Sequence, residues 1–484
     1  MKPLKQLIPS EVCLKCRICC RFSTAESEMF PVFLKEEALH LSQEEKALLS
    51  ETLRPHAVPY QGNEGQPCAC PFFNPATQEC RIYRNRPLDC QLYPFVLTLS
   101  PTQKRIFLGL DTQCPFVQDI SHQEALLGYG DYVKNFLEEP EIVEAIAKSP
   151  GLIGKGEETI LPVSPLSGLT EKLLQAPLFG KFPPPSLGLF PLTLQERGLI
   201  EKWLAASPRE FSEESFVPYI AFSDLLRFYW KTDQDALFIV AEEGNHFFMP
   251  IPPIAKTRTP ELLQRGFDLL DPLNPQGRAR IEGLSQKECE SLAKQGLQCY
   301  PKSPEYLYRR EDLTALAGNR YKSKRSALNY FTTHYDFRVE CYTSKNFLEC
   351  YSLFKRWQTE RIAKTADPYE LALLEDTAFV HRRILLHAEA VGIDGRIVKI
   401  GGEIKGYTFG YALNDETFCI FLEITDPGVK GLPQFLFREF CREKSAFQWI
   451  NAMDDSGLER LRRVKESYRP SVRKVPYVAA RKGI

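Results

Sequence analysis

Along this chain the apolar residues recur with two different periods. Over Thr193–Ala206, Pro260–Leu270 and Gln286–Gln295 they return every third or fourth position, the spacing of one helix face. At Ala236–Ala241 and His246–Ile251, apolar runs flank a Glu-Gly-Asn turn and predict a strand pair. A second series opens near Glu311. The pattern predicts a helix over Leu313–Tyr335, a strand over Phe337–Cys341, and helices over Lys345–Glu360 and Leu371–Leu386. Strands are expected over Ala388–Ile393, Arg396–Leu413 and Thr417–Ile424, then a helix over Pro433–Lys444 and a last segment from Trp449. Helix–strand alternation sustained over ~300 residues argues for α/β or α+β layers. Two such series in tandem suggest a doubled domain, although no residue-level repeat links them.

The first third reads differently. It offers two short helices, around Lys35–Ser50 and Arg81–Arg86, among many turns, and then an acidic helical stretch, Gln123–Lys148. Between Pro150 and Pro191 stand eight prolines and six glycines, a density that breaks regular structure and reads as a connector. The expected organisation is a cysteine-rich unit at 1–125, a helical and Pro/Gly-rich linker at 126–187, and two α/β domains at 188–305 and 306–484. The whole is α+β.

Composition narrows the function. A length of 484 residues implies about three compact units at roughly 100–200 residues each. With 43% apolar and 25% charged residues the chain is globular in type. Lys+Arg at 61 against Asp+Glu at 62 leave a net charge of -1, so any contact with nucleic acid has to be a local patch. No window approaches the ~18 apolar residues of a membrane span. Met1–Cys20 lacks the apolar stretch of a signal peptide. A cytoplasmic protein without a transmembrane segment is expected.

The cysteines carry the clearest chemistry. Nine of 15 fall within the first 114 residues. Where thiols stay reduced, such a cluster points to metal or catalysis more than to disulfides. Cys13-x-x-Cys16-x-x-Cys19-Cys20 places four thiols in eight residues, and Cys70, Cys80, Cys90 and Cys114 add four at wider spacing. Thiolates suit soft or borderline ions. Eight fit two four-thiolate sites, or a cubane cluster plus another ion, and the spacing leaves zinc, mononuclear iron and iron–sulfur open. Cys68 stands outside the pattern. These thiols, with Cys80-Arg81-Ile82-Tyr83, Arg86-Pro87, Asp89-Cys90 and Tyr93-Pro94-Phe95, resemble the YkgJ-type CxxCxxCC cysteine-cluster family over residues ~10–118. The resemblance implies a zinc- or iron-chelating module. A flagellin lysine methylase group carries a similar cluster, which keeps iron–sulfur redox or methyl-transfer chemistry among the alternatives.

The second constellation lies near the end. Glu423 is the sole charge in the apolar run Phe418–Thr425, and a buried carboxylate needs a partner or a task. Trp449–Gly457 reads as a strand ending in polar residues, followed by a basic helix with Arg460, Arg462, Arg463 and Lys465 and closed by Tyr468-Arg469-Pro470. From Gly457 to Ile484 nine Lys/Arg face two Glu, a local excess suited to phosphate. A second basic stretch, Arg320–Arg325, opens a helix on which Tyr321, Lys324, Arg325 and Leu328 share one side. Asn451 and Asp455 are also candidates to cap the final helix.

Leu316–Asn329, Leu422-Glu423-Ile424-Thr425-Asp426-Pro427, and Ile450-Asn451 through Pro470 are similar to the phosphatidylglycerol lysyltransferase C-terminal-like family, as are Pro191-Leu192-Thr193 and Phe211–Phe216 upstream. The likeness spans ~188–480 and implies two tandem GNAT-like acyltransferase domains. It further implies transfer of an activated acyl group, from aminoacyl-tRNA in characterised relatives, to an amine or hydroxyl acceptor. The cysteine module stands where the lysyltransferases have a membrane flippase, so a lipid acceptor is not implied. An acetyl-CoA enzyme needs a glycine-rich pyrophosphate loop after such a strand. Pro427–Pro433 has two glycines and two prolines instead, which disfavours CoA. On this reading Glu423 or Asp426 is the base, and Asn451, Arg462 or Tyr468 stabilises charge. Lys322, Lys324, Arg325 and Lys465 hold the donor's phosphates, and local basic patches meet tRNA. The acceptor is a protein or small-molecule amine. The competing reading is a non-catalytic metal-binding scaffold.

Overall fold

The computed structural model describes residues 4–481 except 16–18, 23, 26, 28, 61–67, 78, 101–102, 155–158, 175–182, 234, 245 and 276. The chain divides into two compact units, Met1–Leu178 and Phe179–Ile484.

In the first unit, strands Ile153–Gly154, Phe95–Leu99, Ile106–Asp111 and Ile160–Pro165 form one sheet in that order. Leu97, Ile106 and Leu108 are buried, as are Val133 and Leu137 of the helix Gln123–Leu137. The acidic helical stretch is in fact two helices, because Pro140 opens the second, Pro140–Ala147, at a position where its missing N–H costs nothing. The expected linker is corrected: 126–174 is folded into this unit, down to the helix Ser167–Leu174. Its proline-bearing strand Ile160–Pro165 is tolerated because it lies at the sheet edge, where half the amides need no ladder partner. The cysteine-bearing part is built from two-residue strands, Arg21–Phe22, Val58–Pro59, Cys68–Ala69, Phe73–Asn74 and Glu79–Cys80. They surround a small core of Phe22, Phe30, Phe33, Phe72, Phe73 and Ile82. The helix expected at Lys35–Ser50 is two short ones, Lys35–Leu39 and Gln43–Lys46, and Arg81–Arg86 holds only the single turn Tyr83–Asn85.

Among the described residues the second unit contains fourteen strands, numbered here in chain order. β1 is Phe190–Pro191, β2 Arg227–Asp233, β3 Ala236–Glu243, β4 His246–Phe248, β5 Arg280–Leu284, β6 Gln298–Pro301 and β7 Glu305–Arg309. β8 is Phe337–Cys341, β9 Asp394–Ile400, β10 Glu403–Ala412, β11 Thr417–Thr425, β12 Trp449–Asn451, β13 Val472–Lys474 and β14 Tyr477–Ala480. The helices used below are α1 Pro260–Leu270, α2 Gln286–Ala293, α3 Lys322–His334, α4 Phe347–Ile362, α5 Pro368–Val391, α6 Leu432–Glu443 and α7 Glu459–Glu466.

The strands form two sheets of the same order. One runs β8-β9-β10-β11-β12-β7-β13. The other runs β1-β2-β3-β4, continues through a parallel bridge from Met249 to Ile281, and ends β5-β14-β6. In each, two strands hairpinned in sequence precede a parallel neighbour reached through a helix. In each, the sixth position is filled by the last strand of the other half. β7 pairs antiparallel with β12 and β13, and β14 pairs antiparallel with β5 and β6. A division at 305/306 therefore does not isolate two domains, because each half completes the other's sheet. This is why length pointed to about three units and the fold has two.

Several predicted elements shift for local reasons. The helix expected over Leu313–Tyr335 is interrupted by Leu316 at φ 48 and Gly318 at φ 80. The strand expected at Ala388–Ile393 is the end of α5, capped by Gly392 in the left-handed region. The long strand at Arg396–Leu413 is the β9–β10 hairpin, turning at Gly401-Gly402. Among the described residues no helix is long and apolar enough to cross a membrane.

Candidate active site and candidate metal centre

β11 and β12 run parallel, but their pairing covers only Thr417–Trp449, Phe418–Ile450 and Cys419–Asn451. From Leu422 to Thr425 β11 pairs with β10 alone, so the ladder between the two central strands ends at Cys419–Asn451. A bulge lies just beyond that pairing. The register between β10 and β11 shifts between Phe409 and Gly410, leaving Phe421 as an extra residue and placing Glu423 opposite Thr408. Gly410 is required there, since a Cβ would lie 2.4 Å from the Cys419 carbonyl oxygen.

On β11, Glu423 has its Oε2 buried and making no hydrogen bond of ordinary geometry, and the similarly buried Thr408 hydroxyl lies across the strand pair. Burial pushes the carboxyl up to about 8, against a lowering influence of Thr408. The buried Tyr468 phenol is held well above its ordinary value, first by burial and then by Glu423 and Cys441 nearby. Its ring lies 4.8 Å from that of Phe437, and Lys324 Nζ sits 4.1 Å from its centroid. Burial lowers the Lys324 ammonium. Glu423, Tyr468 and Lys324 thus come from β11, the segment after α7, and α3 to one place.

The other expected site residues do different work. Asp426 accepts from the Gly428 amide at 2.9 Å and pairs with Lys405 at 3.3 Å, closing the turn after β11. Asn451 is fully buried: its Nδ2 donates to Glu305 at 2.6 Å and its Oδ1 accepts from the Met453 amide at 2.8 Å. Arg462 lies at the surface, 3.5 Å from Asp455 and 3.4 Å from Glu459. Lys465 turns inward and donates to the carbonyls of Ala452 and Asp454, and burial brings its pKa down to about 8. Arg325 donates to the carbonyls of Leu316 and Gly318, at the break between two helices. Lys465 and Arg325 thus each direct N–H donors to two backbone carbonyls. Lys322 is exposed on the first turn of α3. Asp455 accepts from the Tyr306 hydroxyl at 2.6 Å and caps Gly457, so it organises the lip beyond β12. That lip holds Met453 at φ 62 and Ser456 at φ 49, both in the left-handed region.

One polar group escaped the sequence reading. Glu305, the first residue of β7, is buried and accepts from the Ser212 amide at 2.9 Å as well as from Asn451. Burial, then Glu213, raises its carboxyl to about 7. Lys302 bridges Glu213 at 3.0 Å and Glu282 at 2.9 Å beside it. The available signal was a lone acid opening an aromatic strand, the same signal that singled out Glu423. Its partner Ser212 lies 93 positions away.

In the first unit, Cys16 lies outside the described residues, and the side chain of Cys13 is not described. The Cys90 thiol is raised well above its ordinary value by burial, then by Asp89 and by the nearby thiols of Cys70, Cys19 and Cys80. Cys114 and Cys19 both lie close enough to Tyr93 to raise its phenol. The Cys70 amide donates to the Cys20 carbonyl at 3.1 Å, tying the two cysteine stretches together. Cys20 and Cys68 pack against the small aromatic core. Among the described residues no three His, Cys, Asp or Glu side chains converge closely enough to hold an ion. The donors that do gather are thiols, which is the chemistry zinc and iron prefer.

A doubled, strand-exchanged α/β fold joined to a thiol-rich module defines a two-part protein. The model of the phosphatidylglycerol lysyltransferase C-terminal family matches residues 206–480, and the chain belongs to that family. Residues 12–115 match the CxxCxxCC domain, described as zinc- or iron-chelating. Among solved structures, a conserved protein of unknown function from Bacteroides thetaiotaomicron is 23% identical, covers 61% of this chain and 99% of its own, and superposes with a TM-score of 0.55. The C-terminal domain of a lysylphosphatidylglycerol synthetase from Agrobacterium fabrum is 12% identical over 60% of this chain and 93% of its own, at 0.44. The L-PGS from Bacillus licheniformis is 17% identical over 59% and 91%, at 0.42. No curated protein matches the chain.

Proposed function

We propose that the second unit is an acyl- or aminoacyltransferase working in the β11–β12 cleft, and that the first unit holds zinc or iron on its cysteines. The observation that carries the catalytic half is the Glu423 carboxyl, buried on β11 beyond its last pair with β12 and left with a bare Oε2. An amine or hydroxyl acceptor attacks the carbonyl of an activated ester, and Glu423 takes the proton released. A base titrating near 8 is matched to that task near neutral pH. The C–O bond to the carrier then breaks, and its oxygen leaves with a proton returned by Glu423. Tyr468 stays protonated and donates to the developing oxyanion.

Aminoacyl-tRNA is the donor we favour. In addition to the glycine-poor loop, the start of α6 is roofed by α3: a Cβ on Gly431 would lie 2.1 Å from the Ala327 carbonyl oxygen. Helix-start amides so covered make a poor pyrophosphate cradle. Lys322, exposed on the first turn of α3, and Lys324 beside Tyr468 are the cations that would meet a polyanionic donor. In the first unit Cys19, Cys70, Cys80 and Cys90 are the described ligand candidates, with Cys13, Cys16, Cys20 and Cys114 completing the expected set. Bound metal would tether two-residue strands that a small core alone holds weakly.

The test is transfer of labelled acyl groups, from charged tRNA and separately from acyl-CoA, to a panel of amines. Wild-type protein should turn over with charged tRNA, and Glu423→Gln should lower the rate by about 10²–10⁴-fold. Full turnover by Glu423→Gln would remove the base assignment. No transfer from either donor by metal-replete protein would favour a scaffold. Elemental analysis should find zinc or iron lost together in Cys70→Ser and Cys90→Ser.

A further inference from the structure

We propose that Cys289 and Cys299, far in sequence from the cysteine module, form a reversible disulfide that responds to low-molecular-weight disulfides such as oxidised glutathione. Cys289 lies on α2 and Cys299 on β6, and both belong to the apolar core of the first half. The Cys299 sulfur lies 2.9 Å from the Cys289 carbonyl oxygen, which brings it alongside the Cys289 side chain. The Cys289 sulfur donates in turn to the Val478 carbonyl at 3.4 Å. After burial, the Cys299 thiol is the next largest influence raising the Cys289 thiol.

The pair differs in access. Cys289 is 1% exposed, whereas Cys299 is partly exposed on a short strand. Cys299 therefore meets the oxidant first. Its thiolate attacks glutathione disulfide, forming a mixed disulfide and releasing one glutathione thiolate. Cys289 loses its proton, attacks the Cys299 sulfur and releases the second glutathione. The protein gives up two electrons and two protons, and one glutathione disulfide becomes two thiols. The site sits on the exchanged strand: Cys299 is in register with Ala479 of β14, and Val478 of the same strand holds the Cys289 thiol. Closure would clamp α2 to β6 across the strand that completes the first sheet, and would free the Val478 carbonyl.

The experiment treats full-length, metal-loaded protein with oxidised glutathione, alkylates remaining thiols and maps peptides by mass spectrometry. Cys341, exposed on β8, is the internal control for a thiol without a nearby mate. We expect a Cys289–Cys299 crosslink, reversed by dithiothreitol, while Cys341 carries a glutathione adduct. Closure should speed up as pH rises, because the resolving Cys289 must ionise. Cys289→Ser should convert Cys299 into a stable glutathione adduct, a readout that a misfolded variant would not give selectively. A persistent glutathione adduct at Cys299 in the wild type, matching Cys341, would overturn the proposal. So would alkylation of both thiols after treatment that modifies Cys341 fully.

Discussion

The two halves of the second unit share a strand order and a helix–strand sequence, yet their centres are built differently. In the first half, β4 is three residues long, and the chain runs on through Met249-Pro250-Ile251-Pro252-Pro253 to Ile254, which pairs back with Leu237 of β3. Met249 and Ile251 are buried, and the prolines lie so close to β5 that a Cβ on Gly283 would stand 3.4 Å from the Pro252 ring. In the second half, β11 is nine residues long, carries a bulge, and ends beside an acid instead of an apolar plug. The difference teaches that one scaffold appears twice, while a longer strand and a carboxylate re-aimed by a bulge distinguish the second half.

If exchange truly binds the halves, the largest effect follows from removing β14. A chain ending at Pro476 would keep β13 and lose the sixth strand of the first sheet, the one lying between β5 and β6. We expect the whole second unit to lose its cooperative melt in circular dichroism and calorimetry. A first half that stays folded without β14 would break the comparison at its base.

The next effect concerns the price of an orphan acid in the cleft. Glu423 shifts from 4.5 to about 8 on folding, so the folded state binds this proton more tightly than the unfolded chain. Its stabilising contribution is complete below 4.5 and is lost as pH rises through 8. Glu423→Gln should therefore gain on the wild type between pH 5 and 9, by on the order of 3 kcal/mol in denaturant midpoints. An unchanged difference across that range would show an ordinary, solvated carboxylate.

A smaller effect probes the bulge. Gly410→Ala forces a methyl group into the Cys419 carbonyl and the Phe418 ring, so about 2 kcal/mol should be lost. The melt should shift accordingly, and activity should fall further than stability because Glu423 is re-aimed. Equal stability would mean that β11 carries no such constraint.

Much of this was legible in the sequence, for physical reasons. β11 was visible because a buried strand reads as a continuous apolar run, and Glu423 stood out as its sole charge. The cysteine cluster was visible because its spacing is local. β7, β13 and β14 are three to five residues long and pair with segments far away, so no local pattern announces them. The exchange of β7 and β14 was invisible for the same reason. The cations misled in a different way: sequence displays the charge on Lys465 and Arg325 but not the carbonyls they hold. Glu305 was missed because its meaning depends on Ser212 and Asn451, both distant in the chain.

The most direct test is the pH dependence of acyl transfer from charged tRNA, measured for wild type and Glu423→Gln side by side. The wild-type rate should climb with an apparent pKa near 8 as Glu423 loses its proton, and the variant should be slow with that limb absent. A variant that keeps both the limb and the rate would contradict the role given to the cleft.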